Sequence, residues 1–81
     1  MVNAKNFYEV SVARQRKIIK RMVHEARTTG DPVIMLPFDT YPVIEEEMAE
    51  AGWVYTPYNI KETGKKAAAF YPEQYGYSFY S

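Results

Sequence analysis

The sequence predicts a single small α+β domain, order α-β-α-β-β, with two helices packed on one face of a three- or four-stranded mixed sheet. Three observations carry that expectation. A long amphipathic stretch is closed by Gly30-Asp31-Pro32, and an apolar run follows between Pro32 and Pro37. A second amphipathic stretch then ends in Ala51-Gly52-Trp53 and leads into residues suited to a hairpin.

The first helix is expected from Asn6 to Thr29. Asn6 and Glu9 stand at capping-box spacing, and Ser11 offers a second cap. Tyr8, Val12, Ile19, Met22 and Ala26 recur at helical spacing, widened by Ile18 and Val23, so this stripe should face the core. Gly30 supplies a residue tolerant of the left-handed conformation, and Pro32 prevents the helix from resuming. Val33 to Leu36 reads as a strand covered on both faces and interior to the sheet.

The second helix is expected from Thr40 to Ala51. Asp39 or Thr40 would cap it, and Pro42 falls in the first turn, where a missing N–H costs little. Tyr41, Ile44, Met48 and Ala51 share one face, while Glu45, Glu46 and Glu47 sit where the helix dipole favours negative charge. Gly52 ends the helix and Trp53 is placed to pack back on Met48. Trp53 to Thr56 opens a strand that Pro57 assigns to an edge or a bulge. Tyr58 to Ile60, a turn at Glu62-Thr63-Gly64, and Lys66 to Tyr71 form a hairpin. The first and second strands are joined by a crossover long enough for a parallel arrangement, with the third returning antiparallel. Residues 72–81, with Tyr75, Tyr77 and Phe79 on one side of an extended chain, read as a fourth short strand or an interaction tail.

The pattern of amphipathic helix, short apolar strand Val33 to Leu36, capped helix ending in Ala51-Gly52-Trp53-Val54-Tyr55, and a hairpin turning at Gly64 resembles small cytoplasmic accessory proteins encoded by tailed bacteriophages. The resemblance covers residues 10–71. It implies a protein that acts inside a host cell by binding or inhibiting a host protein, and it brings no catalytic residues with it.

Composition sets bounds of its own. A chain of 81 residues forms one domain, 1–81, and 47% hydrophobic with 16% aromatic residues is a folding composition. Without cysteine there is no disulfide, thiolate metal site or cysteine nucleophile. The N-terminal residues lack the basic start and apolar run of a signal peptide, and no stretch approaches a membrane span, so a cytoplasmic location is expected. The net charge of zero is a cancellation. Residues 1–30 carry seven Lys and Arg against two acids, and residues 31–81 carry three against eight. The halves therefore hold charges of +5 and −5.

No constellation for catalysis emerges, and the expectation is a non-enzymatic protein without metal or cofactor. His24 is the only histidine and stands among Lys20, Arg21 and Arg27, as a surface residue does. Gly64-Lys65 matches the end of a phosphate-binding loop, but Lys66 occupies the Ser/Thr position and Asn59 that of the first Gly, so a turn is the better reading. Glu45, Glu46, Glu47 and Glu50 lie on a solvated face, where carboxylates keep their ordinary acidity.

What remains is binding. Tyrosine and arginine dominate interface energies, and eight tyrosines are many for this length. The candidate contacts are Tyr55, Tyr58, Tyr75, Tyr77, Phe79 and Tyr80, with Arg14, Lys17 and Arg21 on the first helix. Tyr55 and Phe70 also fit ordinary core positions. The partner is a protein or a second copy paired through exposed sheet edges and the tail. The alternative is nucleic acid held by the basic first helix. A third reading, a small enzyme, would need His24, Tyr55 and Glu45 to converge in a pocket that a chain this size rarely offers. A membrane surface is not expected, because the sheet needs the helix's apolar stripe.

Overall fold

A computed structural model describes residues 3–75, with the side chain of Tyr75 outside that description. Helix α1 spans Ala4–Thr29, strand β1 Ile34–Met35, helix α2 Pro42–Glu50, strand β2 Trp53–Asn59 and strand β3 Lys66–Pro72, and a 3-10 turn covers Glu73–Tyr75. These elements make a small α+β domain with the expected element order.

Helix α1 begins earlier than the Asn6 cap implies. Asn3 caps it instead, accepting from the Lys5 N–H at 2.8 Å, and Ala4 and Lys5 are good enough helix formers to extend the helix from there. Gly30 ends it with φ 79° and donates to the Ala26 carbonyl at 2.8 Å. At about 39 Å, α1 exceeds the body beneath it, and every residue from Ala4 to Val10 is exposed. Val12 and Ile19 are its buried residues, with Ile18, Met22 and Val23 packed beside them.

Neither Asp39 nor Thr40 caps α2. Tyr41 is the N-cap and makes no side-chain cap bond, and Pro42 follows as the first helical residue. The Asp39 carboxylate serves the sheet instead, and the buried Thr40 hydroxyl has no hydrogen-bond partner among the described residues. Gln15 clamps the entry to α2, donating to the Asp39 carbonyl at 3.4 Å and accepting from the Tyr41 N–H at 3.2 Å. Asp39 accepts from the Thr40 N–H and from the Tyr55 hydroxyl.

The sheet order is β1-β3-β2 and both pairings are antiparallel, so the sheet is not mixed. β1 and β2 do run in the same direction, but β3 lies between them. The central seat goes to β3 because its two edges bond alternately. Ile60 donates to the Lys65 carbonyl on the β2 side, whereas Leu36 donates to the Ala68 carbonyl on the β1 side. β1 is therefore an edge strand, not an interior one, and its residues alternate between Ile34 at 1% and Met35 at 56% exposure. β2 is the other edge, as Pro57 requires, and runs through that proline without interruption. The hairpin turn is closed by Ile60 N–H to Lys65 carbonyl and by Gly64, φ 71°, donating to Ile60. Three strands are found among the described residues. Pro72 ends the last of them in a 3-10 turn, and the tail positions Tyr77, Phe79 and Tyr80 lie outside the described residues.

One core results. Ile34, Leu36, Ala68 and Phe70 on one sheet face meet Val12 and Ile19 of α1 and Ile44 and Met48 of α2. Both helices thus cover the same face. Strand register assigns Trp53, Tyr55 and Pro57 to that face, across from Pro72, Phe70 and Ala68.

Candidate interaction surfaces

Among the described residues, no helix covers the opposite sheet face. Alternation along the strands places Met35 of β1, Val54, Thr56 and Tyr58 of β2, and Ala67, Ala69 and Tyr71 of β3 there. None of these residues is charged, in a chain of which a quarter is. The central strand contributes alanines there, Ala67 fully buried and Ala69 half-buried, with Met35 beside them on β1 and Thr56 and Tyr58 on β2.

Tyr58 builds part of this surface. In a regular ladder the Leu36 carbonyl would accept from Ala68, but the Ala68 N–H goes instead to Phe38, at 3.1 Å, past Pro37. The freed Leu36 carbonyl accepts the Tyr58 hydroxyl at 2.8 Å. The tyrosine side chain therefore reaches from β2 across β3 to β1, over Ala67, which is fully buried. A neighbouring depression is lined by Met35, Pro37, Tyr58 and Ile60 together with the charged Lys61 and Glu62.

Tyr55 occupies the other face. It packs on Phe70 with ring centroids 5.7 Å apart and donates to Asp39 at 2.7 Å. That hydrogen bond, then burial and the nearby Asp39 and Glu45 charges, hold its hydroxyl well above the ordinary tyrosine range. Such a hydroxyl keeps its proton at neutral pH and acts as a strut between β2 and the entry to α2. Of the tyrosines singled out in the sequence, Tyr58 alone is described on the uncovered face; only the backbone of Tyr75 is described, in the 3-10 turn.

The helical layer has a different character. Arg14, Lys17 and Arg21 lie on the solvent side of α1, opposite Val12 and Ile19, and Lys20, His24 and Arg27 flank them; all six are exposed. The ridge runs about 20 Å. Beside it, α2 exposes Glu46, Glu47 and Glu50. The only ion pair among the described residues joins the two helices, from Arg16 to Glu47 at 2.8 Å. Its hydrogen bonds hold the Glu47 carboxyl below the usual carboxylate range and raise the Arg16 guanidinium. Among the described residues no group of three or more acidic or histidine side chains is placed to hold a metal ion, and no helix is long and apolar enough to cross a membrane.

Both sheet edges are interrupted. On β2 the N–H groups of alternate residues point outward, and Pro57 removes one from the middle of that row. On β1 the Val33 N–H is taken by Asp31 and Pro37 has none. Self-pairing through the edges, the route that exposed strands would offer, meets these breaks on each side.

The sequence did not point to the uncovered face, because Met35, Thr56, Ala69 and Tyr71 meet only once the register is known. Compared with known proteins, the chain matches no family model, no curated protein and no solved structure.

Proposed function

We propose that this protein is a non-enzymatic interaction module that binds a protein partner over the uncovered face of its sheet. One observation carries the reading: a sheet face with no charged residue, which no helix among the described residues covers, on a domain whose helical layer is densely charged. Uncharged surface with aromatic and methionine side chains is what interface centres are made of. The occupant that fits is an uncharged apolar segment of another protein, laid over Ala69 between Met35 and Thr56. Tyr58 is preorganised by its bond to Leu36, so little side-chain freedom is lost when a partner settles against it.

The reading is tested with a photoreactive residue placed at Met35, at Thr56 and, as a control on the helical layer, at Ala49. One and the same protein should be crosslinked from Met35 and Thr56 and not from Ala49, and Ala69→Glu should abolish it while the fold is kept. Equal crosslinking from all three positions, or crosslinks insensitive to Ala69→Glu, would remove the uncovered face from the account.

A further inference from the structure

The helical layer carries its two signs of charge side by side, and within one molecule they are scarcely used. Arg14, Lys17, Lys20, Arg21 and Arg27 on α1 and Glu46 and Glu50 on α2 have no ion-pair partner among the described residues, although Arg16 and Glu47 show that the stripes adjoin. The helices also run in the same sense. Gln15 meets Tyr41, Arg16 meets Glu47, and Lys20 shares a groove with Glu47, Met48 and Glu50. Residues 16–20 of α1 and 47–50 of α2 therefore stand at one level along the layer.

We propose that two copies associate through their helical layers about a two-fold axis parallel to the helices and lying between them. Rotation about that axis exchanges left and right and leaves the level along the helices unchanged. It sets α1 of one copy against α2 of the other, in the same sense and at the same height. Lys17, Lys20 and Arg21 then face Glu46 of the partner subunit and Glu50 of the partner subunit, and symmetry repeats the set. A two-fold axis perpendicular to the helices but in the same interface would instead set the basic ridge on its own copy, where like charges repel.

Nucleic acid is the other occupant that a basic ridge suggests, and the neighbouring helix decides between them. A polyanion seated on α1 would lie beside Glu46, Glu47 and Glu50, roughly one helix spacing (about 8–10 Å) away. That repulsion is weakly screened at low ionic strength, where the Debye length is about 30 Å in 0.01 M salt, and is cut down in physiological salt, where it is about 8 Å. A second copy brings both signs and satisfies both stripes. It also leaves the two uncovered sheet faces pointing outward, so this association is independent of the binding proposed above.

The test uses charge reversal in pairs. One variant carries Lys17→Glu, Lys20→Glu and Arg21→Glu; the other carries Glu46→Lys and Glu50→Lys. All five positions are exposed, so folding should be unaffected, which circular dichroism checks. By sedimentation equilibrium in about 20 mM salt the native chain should self-associate, and the association should weaken roughly tenfold or more in about 300 mM salt. Each variant alone should be monomeric. An equal mixture should associate again, because in one half of the interface the reversed α1 meets the reversed α2 and in the other the native α1 meets the native α2. A native chain that stays monomeric at low salt, or a mixture that stays dissociated, overturns the proposal. So does oligonucleotide binding by the native monomer that is lost in the first variant; that result would assign the ridge to a polyanion.

Discussion

The two faces of the sheet are built from the same three strands and have opposite fates. On one, Ile34, Leu36, Ala68 and Phe70 are at most 1% exposed beneath two helices. On the other, Met35 stands 56% exposed one residue from Ile34. A one-residue step along a strand changes the face, so the chain had to specify both surfaces at once through alternate positions. The covered face takes bulky residues, and the uncovered one takes alanine, threonine, tyrosine and methionine with no charge. A face meant only for water is ordinarily polar; this one is not, and the proposed binding rests on that contrast.

The largest effect should come from the covered face. Phe70→Ala removes the largest fully buried side chain and should cost about 3–5 kcal/mol of stability, enough to threaten a domain this small. The neighbouring Ala69→Glu should change stability by less than about 1 kcal/mol while removing partner binding. Chemical denaturation of the two variants checks the pair, and similar losses from both would erase the distinction between the faces. Tyr58→Phe comes next. It leaves the Leu36 carbonyl without its hydroxyl donor and should cost about 1 kcal/mol, with the ring still over Ala67.

The pH dependence sharpens the same comparison, because Tyr55 and Tyr58 occupy opposite faces. The Tyr55 hydroxyl is raised in the folded state by its bond to Asp39. Its stabilising share is fully present below the unfolded tyrosine value, about 10. Above it the unfolded chain loses its proton first, so stability falls as pH rises toward the folded value. Tyr55→Phe should flatten this alkaline loss, as measured by urea denaturation across the range; an unchanged slope would contradict the strut. The smallest effect belongs to the exposed Arg16–Glu47 pair, where Arg16→Gln should return the Glu47 carboxyl to the ordinary range in an NMR titration with little change in stability.

Much of the fold was legible in the residues. Gly30, Gly52 and Gly64 all take positive φ where punctuation was expected, and most of each helix's apolar stripe faces the core, with Tyr8 and Ala51 exposed at the stripe ends. Pro57 correctly placed β2 at an edge. The failures have a common origin in long-range pairing. Val33 to Leu36 looked interior because its residues are all apolar, yet the alternation of Ile34 and Met35 was hidden by their shared hydrophobicity. Asp39 and Thr40 looked like caps, but a tertiary clamp from Gln15, 24 residues away from Asp39, took over the entry to α2. The basic ridge was readable from helical spacing alone. The uncovered face was not, since it joins three strands whose order no local signal reveals.

The most direct measurement is crosslinking from Met35 and Thr56 in native and Ala69→Glu chains, with Ala49 as the control position. One protein captured from both open-face positions, absent from Ala49 and lost with Ala69→Glu in a folded chain, is the predicted result. Capture that ignores the position of the crosslinker, or that survives the charge set in the middle of the face, would contradict it.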